Sequence, residues 1–309
     1  FEHMIRYQIL IAALALGLSA AAQTENPQDV ARSFMRSGDW DNAILVLNKA
    51  IEADRNNAEL RKDLSLAYFY KRDYSKALST VEPMLDDNTA DVTVYQLAGN
   101  VYKALEEVKD ADKLYRRGLK RFPKSGALHS EYGELLFATG DGRGAIQQWE
   151  EGIRDDPGFS GNYYNAARFY ADGKDKVWAL VYGEIFVNME SLTERATAMK
   201  SLLFDLYRQR LFADGDVMSG TDKNTPEFAK AFLQIMGKQS SVVSRGITTE
   251  TLTMLRTRFI LDWYNNYGNR FPFKLFDYQQ QLIREGMFEA YNQWLFGTTE
   301  NLAAYEQWT

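Results

Sequence analysis

Alanine stands at positions 43, 77, 111 and 145, each 34 residues after the one before, with no insertion. Its surroundings repeat with it. Gly38-Asp39-Trp40-Asp41-Asn42 leads into Ala43, Arg72-Asp73-Tyr74-Ser75-Lys76 into Ala77, and Gly140-Asp141-Gly142-Arg143-Gly144 into Ala145. A fixed period of this length confines the chain to an array of like units, because one unit can bury its apolar face only against the next. Within a unit the apolar residues recur at helical spacing, as in Ala43, Leu47, Ala50 and Ile51. Small residues fall where two helices cross closely. Asp39, Asp73 and Asp141 fall in the tight turn, where a short carboxylate caps the following helix. Strand alternation is weak throughout, so the expected fold class is all-α.

Read across units, the eighth position is Ala31, Ser65, Gly99, Gly133 and Ala167, and the eleventh is Phe34, Tyr68, Tyr102, Leu136 and Tyr170. The twentieth is Ala43, Ala77, Ala111, Ala145 and Ala179. Pro123 and Pro157 fill the thirty-second, whereas Arg55 and Thr89 do not. This pattern resembles the tetratricopeptide repeat family. The array divides as 24–57, 58–91, 92–125, 126–159 and 160–190, the last unit degenerate after Ala179. The resemblance implies a solenoid of helical hairpins; it says nothing about residues 191–309, which by their own pattern read as a helical C-terminal domain. It also implies a non-enzymatic scaffold that binds a protein or peptide in a groove lined by the first helix of each hairpin. The family's groove positions place Gln28, Arg32, Lys62, Phe69, Gln96, Asn100, Lys103, Tyr164 and Arg168 there. On that reading Asn100 bonds a peptide backbone, and Arg32, Lys62 and Lys103 hold a carboxylate. Leu66 and Glu134 break the fuller clamp of the family's chaperone-binding subclass.

Composition removes several kinds of chemistry. The chain has no cysteine, hence no disulfide, thiolate metal site, cysteine nucleophile or lipoprotein anchor. Its two histidines, His3 and His129, are too few for a histidine metal cluster. No cofactor or metal is expected. The formal net charge of −6 argues against generic nucleic-acid binding, which needs basic surface. His3-Met4 reads as a cloning scar. Arg6 and the uncharged run Ile9 to Ala22, ending in small residues before Gln23, read as a cleavable signal peptide. The run is short for a membrane span, which needs about 20 apolar residues. The expected location is therefore the periplasm or outside the cell, with no integral span in the mature chain.

After Ser191 the register is lost. Ser191 and Glu194 suggest a capping box opening a helix that ends near Leu211. Residues 213–225 and 239–248 read as loops. Thr225-Pro226-Glu227 has cap and first-turn chemistry for a helix to about Lys238. A longer helix from about Thr249 should stop at Gly268, two stretches parted by Gly286 should follow Pro272, and a short helix should span Leu302 to Trp308. Phe259 to Phe296 holds 12 aromatics in 38 residues. They suffice for a core, yet Tyr264, Tyr267, Phe271, Phe273 and Tyr278 flank turns and form a candidate exposed docking surface.

Other groups are weighed against plainer roles. His129 lies where the family packs a large residue. Asp214, Asp216, Ser219 and Asp222 fail the calcium-loop pattern at Met218 and Thr225. Glu285 and Glu289 are four apart but interrupted by Gly286. Lys113, Arg116, Arg117, Lys120, Arg121 and Lys124 make one helix basic, a solvated face or a dock for an acidic partner. An alternative reading is an envelope enzyme or glycan binder with its site in the C-terminal domain. It requires Trp263 and Tyr267 exposed beside a carboxylate-lined cleft.

Overall fold

The computed structural model describes residues 26–87, 90–173, 175–212, 216–219 and 221–308. The expected signal peptide, residues 1–22, and Asp214 lie outside them. Among the described residues there are helices and turns and no strand. The chain forms two compact units, one through Leu114 and one from Tyr115.

The first unit begins with α1 (Pro27–Arg36), α2 (Trp40–Ala53), α3 (Ala58–Tyr70) and α4 (Tyr74–Val81). Beyond α4 come α5 (Val92–Ala104) and α6 (Val108–Arg121), the last of which continues into the second unit. The helices start on the sequence period: α2, α4 and α6 begin at 40, 74 and 108. Each turn is built from its residues. Asp39 and Asp73 accept the backbone N–H of Asn42 (3.2 Å) and Lys76 (3.3 Å), three residues on. Asn57 and Asp91 cap α3 and α5 in the same way. The residue before each Asp or its equivalent adopts a left-handed backbone: Gly38 (φ 77°), Arg72 (66°) and Glu106 (59°). Pro83 lacks an N–H, and there α4 gives way to a 3-10 turn, Glu82–Asp86.

The small residues sit where hairpin helices approach. Ala31, Ser65, Ala43 and Ala77 are fully buried, and the Ser65 hydroxyl donates to the Ala77 carbonyl at 3.0 Å. Leu47, Leu60 and Leu64 fill the space beside them, with Met35, Ile44 and Ile51 at the edge.

The second unit continues with α7 (Gly126–Ala138), α8 (Gly142–Asp155), α9 (Ser160–Asp172) and α10 (Lys176–Met189). Asp141 caps α8 by accepting from Gly144 N–H at 2.8 Å, behind Gly140 at φ 89°. At Gly133 an added Cβ would lie 2.3 Å from the Trp149 indole nitrogen, so only glycine admits that large side chain. Trp149 is thereby seated deeply enough to donate to the Ser130 carbonyl at 3.2 Å.

Then come α11 (Glu194–Asp205), closing in a π-helical turn to Leu211, and α12 (Glu227–Lys238). They are followed by α13 (Thr249–Asn266), α14 (Lys274–Arg284), α15 (Phe288–Asn292) with a π-helical turn to Gly297, and α16 (Leu302–Trp308). Three local expectations are corrected. Thr193, not Ser191, caps α11 by accepting from Ala196 N–H at 3.2 Å. Thr225 does not cap α12; its hydroxyl accepts from Asp222 N–H at 2.9 Å and closes a turn instead. The loop 239–248 contains a 3-10 turn at Ser240–Val243.

One core joins α9 and α10 to the helices after residue 191. Tyr163, Ala167, Val177, Leu180 and Phe186 share it with Met199, Phe232, Phe259, Trp263 and Phe296. This explains the degenerate fifth repeat. The α10 helix is as long as its counterparts, but its outer face is covered by unlike helices, so the repeat consensus no longer applies. The division between the two compact units falls within α6, between Leu114 and Tyr115.

Candidate functional site

In the first unit the inner-face residues are largely paired with one another. Gln28 Nε2 and Arg32 Nε both donate to Asp63 Oδ2, at 2.7 and 2.9 Å. Lys62 Nζ lies 2.9 Å from Asp91 and 2.5 Å from Glu59. Burial works against the Lys62 ammonium, yet hydrogen bonds to Asp91 and Glu59 outweigh it and raise its pKa. Arg32 and Lys62, expected to hold a partner's carboxylate, are here paired with carboxylates of the chain itself. Lys103 is half-buried and has interactions of its own. Gln96 and Asn100 are half-buried and make no side-chain hydrogen bond among the described residues. Phe69 packs against Tyr70 and Tyr74, both with ring centres at 5.6 Å.

The second unit holds a hollow on the same helix face. A cavity of about 300 Å3 is lined by Glu134 and Phe137 of α7, Trp149 of α8, and Tyr164, Asn165, Arg168, Phe169 and Asp172 of α9. Its floor is aromatic: Phe137, Trp149 and Phe169 lie with ring centres 5.9 to 6.2 Å apart. Trp149 is buried while Phe137 is 52% exposed, so the trio is open on one side. The rim is polar. Asn165 Nδ2 donates to Glu134 Oε1 at 3.1 Å, and the Arg168 guanidinium lies 5.4 Å from the Tyr164 ring centre. Arg168 forms no ion pair among the described residues. The sequence reading placed Tyr164 and Arg168 here and missed Trp149, Asn165, Phe169 and Asp172. Asp172 occupies the thirteenth position of its unit, one of the family's groove positions, and was legible there.

Arg195 lies 5.3 Å over the same Tyr164 ring and donates from Nε to Glu190 at 2.6 Å. Glu190 also accepts from Ser160 (3.0 Å) and Thr193 (2.8 Å). The Arg195 hydrogen bond, opposed by partial burial, brings the Glu190 pKa down to about 2.

The C-terminal aromatics are mostly structural. Tyr264, Tyr267, Phe271 and Phe273 are half-buried against the core, leaving Tyr278, at 43% exposure, as the accessible member of the expected docking surface. Tyr264 donates to Asp277, and Tyr267 to Gln234 at 2.7 Å. Trp263 is 1% exposed, so the paired exposure required by a glycan or enzyme site is missing. Glu285 and Glu289 lie exposed, and Gln281 donates to Glu285 at 2.8 Å. Asp216 and Asp222 accept from nearby backbone N–H groups as local turns. His129 is buried, its ring nitrogens 3.0 Å from Gln148 Oε1 and 3.2 Å from the Pro123 carbonyl.

Sequence reading also missed a buried polar network. Arg256 of α13 donates to Glu184 of α10 and to Asn292. Gln279 (2.6 Å) and Tyr291 (2.8 Å) donate to the same Glu184 oxygen. The Arg256 guanidinium lies 5.3 Å from the Phe288 and Phe296 ring centres. Burial disfavours its charge, but Glu184 more than restores it, and the pKa is raised. The signal was present: Arg256 falls among Leu252, Leu255 and Phe259 on an otherwise apolar stripe. The arrangement ties α10, α13, α14 and α15 together. Among the described residues no helix is long and apolar enough to cross a membrane.

Tetratricopeptide repeat models match residues 34–101 and 97–158. Among curated proteins the chain is similar to BBSome complex member BBS4 of Bos taurus, 25% identical over 133 residues. The match takes in 43% of this chain and spans a quarter of that protein's length. Among solved structures it is similar to MamA, at 21% identity and a TM-score of 0.43, covering 52% of this chain and 95% of that one. It is also similar to TTC0263, a thermophilic TPR protein of Thermus thermophilus, at 14% identity and a TM-score of 0.49, covering 58% and 98%. The matched segments overlap the 34-residue hairpins, and residues 34–158 are tetratricopeptide repeats.

Proposed function

We propose that this protein is a non-enzymatic scaffold of the cell envelope, exported by residues 1–22, which holds a protein or peptide partner on the inner face of its hairpins. The observation that carries the reading is the hollow between α7 and α9. Three aromatic rings form its floor, and polar side chains around it are placed to meet a peptide backbone. Such a site needs little ordering on binding, because its rings are already held by packing against one another. In the first unit, where Arg32 and Lys62 are satisfied internally, the inner face offers less to a ligand.

The test is affinity capture from envelope extracts with the intact chain and with Phe137→Ala and Arg168→Glu variants. Both side chains are exposed, so circular dichroism and melting should match the parent. Specific loss of a recovered partner from both variants supports the assignment. Recovery of the same partners by all three proteins removes it.

A further inference from the structure

The lining of the hollow between α7 and α9 also bears on which partner side chain it accepts, an inference that rests on the partner site proposed above. Charge does not select the occupant, because the charged groups of the rim already have counterparts. Arg168 and Arg195 both lie against the Tyr164 ring, at 5.4 and 5.3 Å from its centre. Arg195 feels the charge of Glu134, and Lys176 that of Asp172. Glu134 also accepts from Asn165 at 3.1 Å. Neither a cationic nor an anionic side chain meets an uncompensated partner there.

The floor and one rim atom remain open. The Phe137, Trp149 and Phe169 rings meet at 49° to 77°, tilted or edge to face, and Phe137 is 52% exposed. A further ring can extend such a set, and ring pairs in these geometries contribute beyond the area they bury. At the rim, Asn165 Nδ2 donates to Ser130 Oγ (3.2 Å) and Glu134 Oε1 (3.1 Å). A carboxylate only accepts, so the amide is held in this orientation and its Oδ1 points elsewhere. That oxygen accepts no hydrogen bond among the described residues, and Asn165 lines the same hollow. An aliphatic or phenylalanine side chain seated on the floor would strip water from it and leave it unpaired, which costs binding. A ring that brings its own donor avoids that cost.

We infer that the hollow takes a tryptophan or tyrosine side chain from the partner segment, its ring against Phe137 and Phe169 and its indole N–H or phenol O–H donating to Asn165 Oδ1. The test is selection of a random dodecapeptide display library on the intact chain. It is followed by titration of one enriched sequence, as a capped synthetic peptide, against the parent, Phe137→Ala and Asn165→Ala. Enriched sequences should carry a recurrent Trp or Tyr. Replacing that residue by Ala should weaken binding about thirtyfold, and Phe137→Ala should weaken it about tenfold. An analogue without the donor, Phe for Tyr or naphthylalanine for Trp, should bind the parent about fivefold less tightly. On Asn165→Ala, where the acceptor is gone, the two peptides should bind alike. The analogue comparison on the parent needs no variant and stands by itself should Asn165→Ala lose its fold by circular dichroism.

A donorless analogue that binds the parent as tightly, or enriched anchors that are aliphatic, phenylalanine or charged yet still depend on Phe137, overturns this inference and leaves the inner-face site standing. Enriched sequences that bind Phe137→Ala as tightly as the parent, or no enrichment at all, overturn both.

Discussion

At the scale of single residues, the turn positions give the cleanest energetic test. Gly38 and Gly140 have left-handed backbones, and nothing lies within 4 Å of where a Cβ would stand. Replacing either by alanine changes the backbone preference alone. Gly140→Ala should destabilise the protein by about 1 kcal/mol, because an L-residue pays roughly that to occupy this region. Arg72 and Glu106 already carry this cost, so Arg72→Gly should be neutral or stabilising by up to about 1 kcal/mol once the entropy of glycine is set against it. Urea titrations of the two variants check both signs. Arg256 tests the opposite extreme. Arg256→Met leaves the Glu184 carboxylate buried without its cation and should cost about 3–5 kcal/mol, whereas the Arg256→Met/Glu184→Met double variant should recover much of that loss. A double variant as unstable as the single one would show that packing, not charge, dominates there.

At the scale of elements, the junction between α9 and α11 makes stability depend on pH. The Glu190 pKa falls from 4.5 to about 2 in the folded protein. The unfolded chain therefore binds the proton first on acidification. The contribution is fully present above about pH 4.5 and is lost as pH falls toward 2. The site is partly solvated, so the effect should be near 1 kcal/mol or less. Unfolding of the parent and of Glu190→Gln, compared between pH 5 and 3, should show a shallower acid loss in the variant. Equal slopes would contradict the assignment.

The helices of the hairpins were legible because the period, the capping Asp residues and the small residues at crossings all point the same way. Pro83 was visible too, but its effect on α4 depends on how much of the turn the neighbours hold. The cap of α11 was misread because Ser191 and Thr193 are equally good caps locally, and only packing chooses Thr193. The aromatic floor of the hollow was partly hidden for a similar reason. Trp149 belongs to the second helix of its hairpin and reaches the site only through the space left at Gly133.

At the scale of the whole molecule, the helices after residue 191 are not separable from the fifth hairpin. Val177, Leu180 and Phe186 share a core with Phe232, Phe259 and Phe296. A chain ended after Met189 would expose that apolar surface, as an uncapped repeat array does. Such a fragment should bind the dye ANS or aggregate, with α9 and α10 cut early by protease. A soluble, cooperatively unfolding fragment would contradict the capping role. This dependence was beyond the sequence because nothing after Ser191 repeats, so no period shows which faces meet. Charged residues on apolar stripes, Glu184 and Arg256, were the available hint.

The central claim is that a partner segment lies against the inner face of α7 and α9. Its most direct test is photo-crosslinking in cells with a benzophenone analogue of phenylalanine placed at Phe137 and, in a second variant, at Tyr278. Both positions are exposed. The account predicts a discrete adduct from position 137 and none from position 278. An adduct from position 278 with none from 137 would contradict it.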